Sequence, residues 1–296
     1  MPQSGWSQEE TTTTLRRFPV VPRKYPFQIA LSYVLAVYFN QSDASSLYEL
    51  LRLYSTYSPD LLDRIEFVIV DDGSTVPIAI REDLNLNLVL LRIGIDIPWN
   101  EPGARNLGVL QANADKILLT DLDYEVPEHT LRKTLSLRPL GRRIYKIRLM
   151  TLDGKISRPH PNTYVLSRGH FLKLFGLDEE FSGSYGFHDS MFFRWQRNCG
   201  TRFLKLRKKY FKRDRRIDLS HSYHDLTRDL EHNREVDRRK RAELASYGPG
   251  GGHSRKMLRF PWHVVLERER VPSGLPRRRP YWARLWFLRW LFAFSI

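Results

Sequence analysis

Apolar runs alternate with amphipathic segments in the first half of the chain. Large apolar and β-branched residues, the usual content of buried strands, fill residues 29–39, 65–70, 87–93 and 116–120. Residues 43–57 have leucines at helical spacing behind Asp43, a good N-cap residue, and residues 102–114 predict a helix with Pro102 near its start. Short connections between such strands and helices indicate βαβ units, and hence an α/β fold around a mostly parallel sheet.

The second half of the chain is less regular. Residues 141–165 predict a hairpin around Asp153-Gly154, and residues 225–245 are highly charged and helical in pattern. The pattern as a whole divides the chain into a disordered or loosely attached segment over 1–26, one domain over 27–245, a loop or arm rich in Gly, Pro and Arg over 246–280, and an amphipathic helix of aromatic and basic residues over 281–296.

Composition narrows the class of protein. Of the 296 residues, 42% are hydrophobic, enough to fill a core, and the single cysteine, Cys199, excludes a disulfide scaffold and a multi-cysteine zinc site. A lone cysteine favours a reducing compartment. Lys and Arg number 48 against 33 Asp and Glu, which gives a formal net charge of +15. This excess is typical of proteins that meet nucleic acid, an anionic membrane surface or phosphate-bearing substrates.

Acidic residues follow two of the predicted strands. Asp71 and Asp72 end the run VIVDDGS, and Asp121 and Asp123 follow the strand over 116–120. Parallel strands end at one edge of a sheet, so both pairs point into one crevice, and the Asp-x-Asp spacing lets two carboxylates share Mg²⁺ or Mn²⁺. Arg105, at the start of a helix between these strands, could meet a phosphate there. Each motif also has a purely structural explanation. Asp71 and Asp72 could form a tight turn, Asp121 and Asp123 a solvated acidic loop, and Arg105 a surface salt bridge.

The order of these motifs resembles a known family. VIVDDGS, then GARNLG, then a strand ending in DLD resembles the nucleotide-sugar-binding half of GT-A-fold glycosyltransferases, and is most similar to the inverting family 2. The segment over 162–195, with a GLDEEF turn and a glycine- and aromatic-containing loop before an acidic position and a helix, resembles their acceptor-binding half, as in the galactosyltransferase branch. The resemblance covers about residues 28–235.

The resemblance implies a fold and an activity. The fold would be the GT-A fold: a mostly parallel central sheet with flanking helices, in which a Rossmann-like nucleotide-binding half joins an acceptor-binding half. The activity would be transfer of a sugar from a nucleoside-diphosphate sugar, with a UDP-sugar favoured, to a hydroxyl of a glycan or lipid-linked glycan, with inversion, in polysaccharide or glycolipid biosynthesis. Transfer of one sugar is favoured over polymerisation, because position 191 is Met where processive relatives have the Gln of Q-x-x-R-W.

The resemblance also implies roles for individual residues. The nucleotide sugar would contact residues that follow the strands or begin the next helix: Tyr38, Asn40, Asp71, Asp72, Arg105 and Asp121. Asp123 would bind Mn²⁺ or Mg²⁺, with His224 as a further ligand and His221 as the alternative.

The predicted base and acceptor site lie further along the chain. Asp189 would be the catalytic base, and Tyr185 would stack against the acceptor sugar. His188 stands where the family usually has Glu, which leaves the base intact but changes the acceptor site.

Two other classes of function are possible for this sequence. A sugar-nucleotide-forming nucleotidyltransferase would show a Gly-rich phosphate loop near its N-terminus, and the sequence has none; a non-catalytic basic binding module could keep the same fold. Nucleic acid is not an expected partner, because no recognisable nucleic-acid-binding module is present.

The aromatic and basic residues over 276–296 predict an interfacial helix, so we expect a cytoplasmic protein that is peripheral on an anionic membrane. The alternative is that this helix docks on the core.

Overall fold

The computed structural model describes residues 28–272. The predicted N-terminal segment over 1–26 and the predicted C-terminal helix over 281–296 therefore lie outside the described residues. In the part that is described, ten strands form one mixed sheet.

The first half of the chain forms the predicted βαβ units. Its elements are β1 (Leu31–Val37), α1 (Ser45–Ser55), α2 (Pro59–Leu62), β2 (Ile65–Asp71), β3 (Asn87–Ile93), α3 (Glu101–Gln111) and β4 (Lys116–Thr120). Strands β3, β2, β1 and β4 are parallel neighbours. All seven residues of β2 are buried because helices cover both faces of the sheet, which explains its uninterrupted apolar run.

The second half adds antiparallel strands and the remaining helices. Its elements are β5 (Tyr124–Glu125), α4 (Glu128–Ser136), β6 (Arg143–Met150), β7 (Ile156–Ser167), α5 (Arg168–Lys173), α6 (His188–Asn198), β8 (Arg202–Lys205), β9 (Phe211–Asp214), α7 (Glu231–Tyr247) and β10 (Trp262–Arg268). The predicted hairpin is confirmed: β6 and β7 are antiparallel, and their turn contains Asp153-Gly154.

Two predictions for this half need correction. The helix predicted over 225–245 begins only at Glu231, and the residues before it form an irregular segment. The loop or arm predicted over 246–280 is wrong for Trp262–Arg268, which pair antiparallel with β3 as the last strand of the sheet. This pairing satisfies backbone N–H and C=O groups of β3 that would otherwise be exposed at the edge of the sheet. The sequence over 246–280 does not show which edge of the sheet it pairs with.

Packed residues on the two faces of the sheet hold the strand ends in place. On one face α1 packs against β1 and β2, and on the other face α3, α5 and α6 pack against β1, β4 and β7. A third cluster joins α6 to α7. None of the helices within residues 28–272 is long and apolar enough to cross a membrane.

Candidate active site

A cleft of about 290 Å³ opens at the carboxyl ends of β1, β2 and β4. This is the edge at which the sequence predicted a crevice. The residues that line the cleft are Ala36, Val37, Tyr38, Asp72, Trp99, Glu101, Asp121, Leu122, Asp123, Tyr124, Asn162, Tyr185, Tyr223, His224, Leu226 and Arg228. Six of the residues singled out in the sequence are among them: Tyr38, Asp72, Asp121, Asp123, Tyr185 and His224.

Asp123 and His224 each bring to the cleft one atom of a type that binds metal ions. Oδ1 of Asp123 and Nδ1 of His224 are buried and have no hydrogen-bond partner among residues 28–272. Burial raises the pKa of Asp123, against a hydrogen bond from Tyr223 that lowers it. Burial lowers the pKa of His224, and Arg228 lowers it further. A carboxylate oxygen and an imidazole nitrogen that are buried without partners suit a cation better than they suit an empty cleft.

The alternative histidine, His221, does not line this cleft. Its Nε2 lies 3.2 Å from Oδ2 of Asp43, and its side chain is exposed. Within residues 28–272 no group of three or more His, Cys, Asp or Glu side chains is placed to hold a metal ion. A cation at Asp123 and His224 would therefore need further ligands of other kinds, such as the oxygens of a phosphate.

Arg105 is fully buried beneath the cleft and connects three carboxylates. Its guanidinium pairs with Glu101, one turn earlier on α3, and with Asp121, and it donates to Oδ1 of Asp189 at 3.1 Å. On the other side of Asp121, Nδ2 of Asn162 donates to Oδ2 at 2.5 Å. A buried cation is tolerated when its charge is matched in this way.

The carboxylates of this network respond differently to burial. Burial raises the pKa of Asp121 to about 7, although the charge of Arg105 opposes the rise. Burial also favours the neutral form of Glu101, but Arg105 and His188 outweigh it and lower the pKa of Glu101 to about 2. Nε2 of His188 lies 3.1 Å from Oε2 of Glu101. Burial lowers the pKa of His188, but Asp189 and Glu101 outweigh it, so that the pKa is raised overall.

Asp189 is positioned at the start of α6. The residue before this helix, Phe187, has a left-handed backbone with φ of 64°, which turns the chain sharply into the helix. Oδ1 of Asp189 accepts from Arg105, whereas Oδ2 accepts no hydrogen bond from residues 28–272 and lies 3.6 Å from Nε2 of His188. Asp189 does not itself line the cleft, but it shares the guanidinium of Arg105 with Asp121, which does.

Two of the predicted nucleotide contacts, Asp72 and Tyr38, lie at the ends of β2 and β1. Asp72 and Tyr38 line the cleft: Oδ1 of Asp72 accepts from Nδ2 of Asn100 at 2.9 Å, and the hydroxyl of Tyr38 donates to Asp96 at 3.2 Å. Burial raises the pKa of Asp72 well above its usual range, and burial followed by the charge of Asp96 raises that of Tyr38 to about 12.

The structure does not bring Asp71 and Asn40 into the lining of the cleft. The carboxylate of Asp71 accepts from Arg92 at 2.5 Å and from the backbone N–H of Ser74 at 2.8 Å, so it shapes the turn after β2. Asn40 exchanges two hydrogen bonds with Asp225, of 2.6 and 3.1 Å. These bonds fasten the irregular segment that carries Tyr223 and His224 to the end of β1.

Several cleft residues were missed by the sequence analysis. Glu101 could have been found, because it lies four residues before Arg105 and shares a helix face with it. Nothing in the local sequence marked Trp99, whose Nε1 donates to the carbonyl of Thr227 at 2.9 Å, or Arg228, whose guanidinium lies 5.6 Å from the ring centre of Tyr185. The rings of Trp99 and Tyr185 are 4.6 Å apart, so this side of the cleft is aromatic.

A second buried cation, Lys212, was also missed. Its Nζ donates to Oγ1 of Thr163 at 2.8 Å and lies 3.0 Å from the ring centre of Tyr124. Burial lowers the pKa of Lys212 to about 7, against the opposing charge of Asp121. The sequence KKYFKRDRR gives no sign that this lysine, unlike its neighbours, points inward.

Comparisons with known proteins establish the fold. The sequence matches no protein-family model and no curated protein. The structure is similar to that of TarS residues 1–349 from S. aureus, solved in complex with UDP-GlcNAc, with a TM-score of 0.52 at 15% identity over 73% of this chain and 67% of that one. For the mannosyltransferase PcManGT from Pyrobaculum calidifontis, solved in complex with GDP-Man and Mn²⁺, the TM-score is only 0.41, at 17% identity over 78% of this chain and 67% of that one. The likeness to TarS confirms that the chain has the GT-A fold.

Proposed function

We propose that the chain is an inverting glycosyltransferase that transfers one sugar from a nucleoside-diphosphate sugar to an acceptor hydroxyl. The observation that carries this proposal is the buried guanidinium of Arg105, which joins Asp121 in the cleft to Asp189 at the start of α6. The GT-A fold supports a nucleotide-sugar donor, and the UDP-GlcNAc bound by TarS supports a UDP-sugar.

The cleft supplies contacts for the two ends of such a donor. Tyr38 and Asp72, which line the cleft at the ends of β1 and β2, would contact the base and ribose. Arg228 is exposed, also lines the cleft, and would bind a phosphate oxygen. The raised pKa of Asp72 means that this carboxyl can donate as well as accept a hydrogen bond when it is protonated.

Asp123 and His224 fit a divalent cation, either Mn²⁺ or Mg²⁺. Their unpartnered Oδ1 and Nδ1 atoms are the donor set, and Mg²⁺ prefers oxygen ligands, so the imidazole favours Mn²⁺ of the two. When bound, the cation would neutralise the charge of the leaving diphosphate. Tyr223 holds the Asp123 carboxylate in place from behind.

Asp189 is the proposed base. Displacement with inversion needs one carboxylate that takes the proton of the acceptor hydroxyl, and Oδ2 of Asp189 is available because Arg105 occupies only Oδ1. Tyr185, in the aromatic side of the cleft, offers a ring against which the acceptor sugar can stack. His188, paired with Glu101, would face the acceptor where other members of the family have Glu.

The proposed acceptor comes from the family resemblance, and the proposed location comes from the composition of the C-terminal residues. A glycan or lipid-linked glycan at the cytoplasmic face of an anionic membrane would meet a chain whose C-terminal residues are basic and aromatic.

The decisive experiment is donor turnover by the purified full chain. A panel of nucleotide sugars is incubated with the protein in Mn²⁺, in Mg²⁺ and in excess chelator, and free nucleoside diphosphate is measured. We expect release from a UDP-sugar that the chelator suppresses. Full release in chelator would contradict the metal assignment, and the absence of both binding and release for every donor would contradict the proposed function.

A further inference from the structure

Three cations lie near one another in the second half of the chain, close to the proposed base. They are Lys146 on β6, Arg197 on α6 and Lys205 on β8, and together they are called the basic strip. Nζ of Lys146 lies 3.6 Å from the ring centre of Phe193 on α6, and Cζ of Arg197 lies 5.4 Å from that of Phe203 on β8. Arg197 and Lys205 are exposed, and Lys146 is half-buried.

The arrangement is electrostatically unfavourable in the protein alone. Lys146 and Lys205 are direct partners in the parallel pairing of β6 with β8, and like charges at such positions repel each other. No acidic side chain within residues 28–272 forms an ion pair with any of the three. Burial lowers the pKa of Lys146, and Arg197 and Lys205 lower it further, while Asp189 acts in the opposite sense. A bound anion would relieve this repulsion.

The basic strip extends away from Asp189 along one face of α6. Asp189, Phe193 and Arg197 are spaced four residues apart, so their side chains share that face. At 1.5 Å per residue, the Phe193 level, where Lys146 lies, is about 6 Å from Asp189 along the helix axis, and Arg197 is about 12 Å away. An anion held here would therefore be about one sugar unit from a hydroxyl at Asp189.

The basic strip is separate from the donor cleft. None of its three residues lines the cleft. The proposed contacts for the diphosphate, Arg228 and a cation at Asp123 and His224, lie in the cleft. Two ammonium groups and one guanidinium, without an intervening acid, match the charge and the multiple acceptor oxygens of a phosphate.

We propose that the basic strip binds a phosphate or phosphodiester group of the acceptor, next to the sugar whose hydroxyl faces Asp189. This inference rests on the proposed function and narrows it: the acceptor is a phosphate-bearing glycan rather than a neutral one. The phosphate belongs either to a soluble glycan phosphate chain or to a lipid headgroup.

The experiment compares binding of defined probes to the full chain and to charge variants. The strip variant combines Arg197→Gln with Lys205→Gln, two exposed positions whose change leaves the core intact. The control combines Arg52→Gln with Arg238→Gln, which removes the same charge from exposed positions of α1 and α7. The probes are a short poly(glycerol phosphate) oligomer, a neutral dextran oligosaccharide, phosphatidylglycerol vesicles and a single-stranded oligonucleotide.

We expect the poly(glycerol phosphate) oligomer to bind the wild-type protein more tightly than dextran, and the strip variant to bind it about tenfold more weakly while the control variant does not. The same selective loss confined to vesicles would support a lipid headgroup as the source of the phosphate. Equal losses in both variants would overturn the proposal, because binding would then follow net charge. Selective loss of oligonucleotide binding alone would also overturn it. Binding of UDP, measured alongside, tests the proposed function separately: its absence in the wild-type protein contradicts the donor site, and with it the acceptor role of the strip, even if the strip variant shows that phosphate binds there.

Discussion

The hydroxyl of Tyr223 donates a hydrogen bond to Oδ2 of Asp123 at 3.2 Å, across one hundred residues of sequence. The bond leaves Oδ1 of Asp123 without a hydrogen-bond partner among residues 28–272. It also connects the end of β4 to the irregular segment that carries His224. The orientation of the proposed metal ligand is thus set by a tyrosine that is not itself a ligand.

Removing this hydroxyl should weaken metal binding without abolishing it. Tyr223→Phe is expected to reduce the apparent affinity for Mn²⁺ by about ten- to a hundredfold, the usual effect of losing a group that orients a ligand. Asp123→Ala should abolish metal-dependent nucleotide binding. The measurement is a Mn²⁺ titration of UDP binding.

The chain offers a matched control for this change. Tyr48→Phe removes another tyrosine–aspartate hydrogen bond, to Asp83, which is exposed and lies outside the cleft. An equal loss of Mn²⁺ affinity in Tyr48→Phe, or none in Tyr223→Phe, would count against the assignment.

Replacing the proposed base by its isosteric amide should stop transfer while sparing the donor. Asp189→Asn is expected to lower the transfer rate by about 10²–10⁴-fold, because the amide cannot take the proton, while an amide oxygen can still accept from Arg105. Rates with the identified donor and acceptor, together with UDP binding, measure the two effects. Asp237→Asn, a buried aspartate that pairs with Arg241 on α7, is the control and should transfer normally. Wild-type rates in Asp189→Asn would place the base elsewhere.

Loss of the Arg105 charge should destabilise the fold in a pH-dependent way. Arg105→Met leaves Glu101, Asp121 and Asp189 close together and unmatched, for which a loss of about 3–5 kcal/mol in the free energy of unfolding is typical. Without the cation, burial holds the pKa values of Glu101 and Asp121 above those of the unfolded chain, so the variant should regain stability as the pH falls. Urea unfolding at mildly acidic and mildly basic pH measures this change.

Arg132 provides the comparison, since it also bridges two acids, Asp60 and Glu128, but at the surface. Arg132→Met is expected to cost about 0–1 kcal/mol. If Arg105→Met lowers the free energy of unfolding no more than Arg132→Met does, or lowers it equally at both pH values, Arg105 does not balance the charges of the buried carboxylates.

Lys212 should impose a pH dependence of its own. Its folded pKa of about 7 is below the ordinary lysine value of 10.5, so the unfolded chain binds more protons between these values and stability rises with pH there. Lys212→Met should flatten this rise between about pH 7 and pH 10, as measured by urea unfolding. Lys209→Met, at an exposed position of the same segment, should leave the rise in place. An unchanged slope in Lys212→Met would mean that another group titrates.

Truncation tests the C-terminal prediction. A chain that ends after residue 273 loses Arg277, Arg278 and Arg279 and the tryptophans beyond them. At about 1 kcal/mol for each basic residue near an anionic surface, we expect binding to phosphatidylglycerol vesicles to fall sharply while donor turnover persists. Sedimentation with vesicles measures it. Unchanged vesicle binding, or an unfolded product, would reject the interfacial helix.

The sequence alone determined the parts of this protein that depend on neighbours along the chain. The apolar runs of β1 to β4, the turn at Asp153-Gly154 and the acidic residues at strand ends were all readable, because strand composition and turn chemistry are local. The convergence of Asp72 and Asp123 on one cleft followed from the parallel order of the strands.

Only the tertiary structure decided which distant groups meet. Asp71 and Asp72 are adjacent in sequence, yet one is bonded into a turn and the other faces the cleft. Strand β10, the pairing of Lys146 with Lys205 and the contact of Arg105 with Asp189 each join segments far apart in the chain. Periodicity shows that a residue points to one face of its own element. It does not show what that face meets, because pairing and burial are settled by the packing of the whole chain.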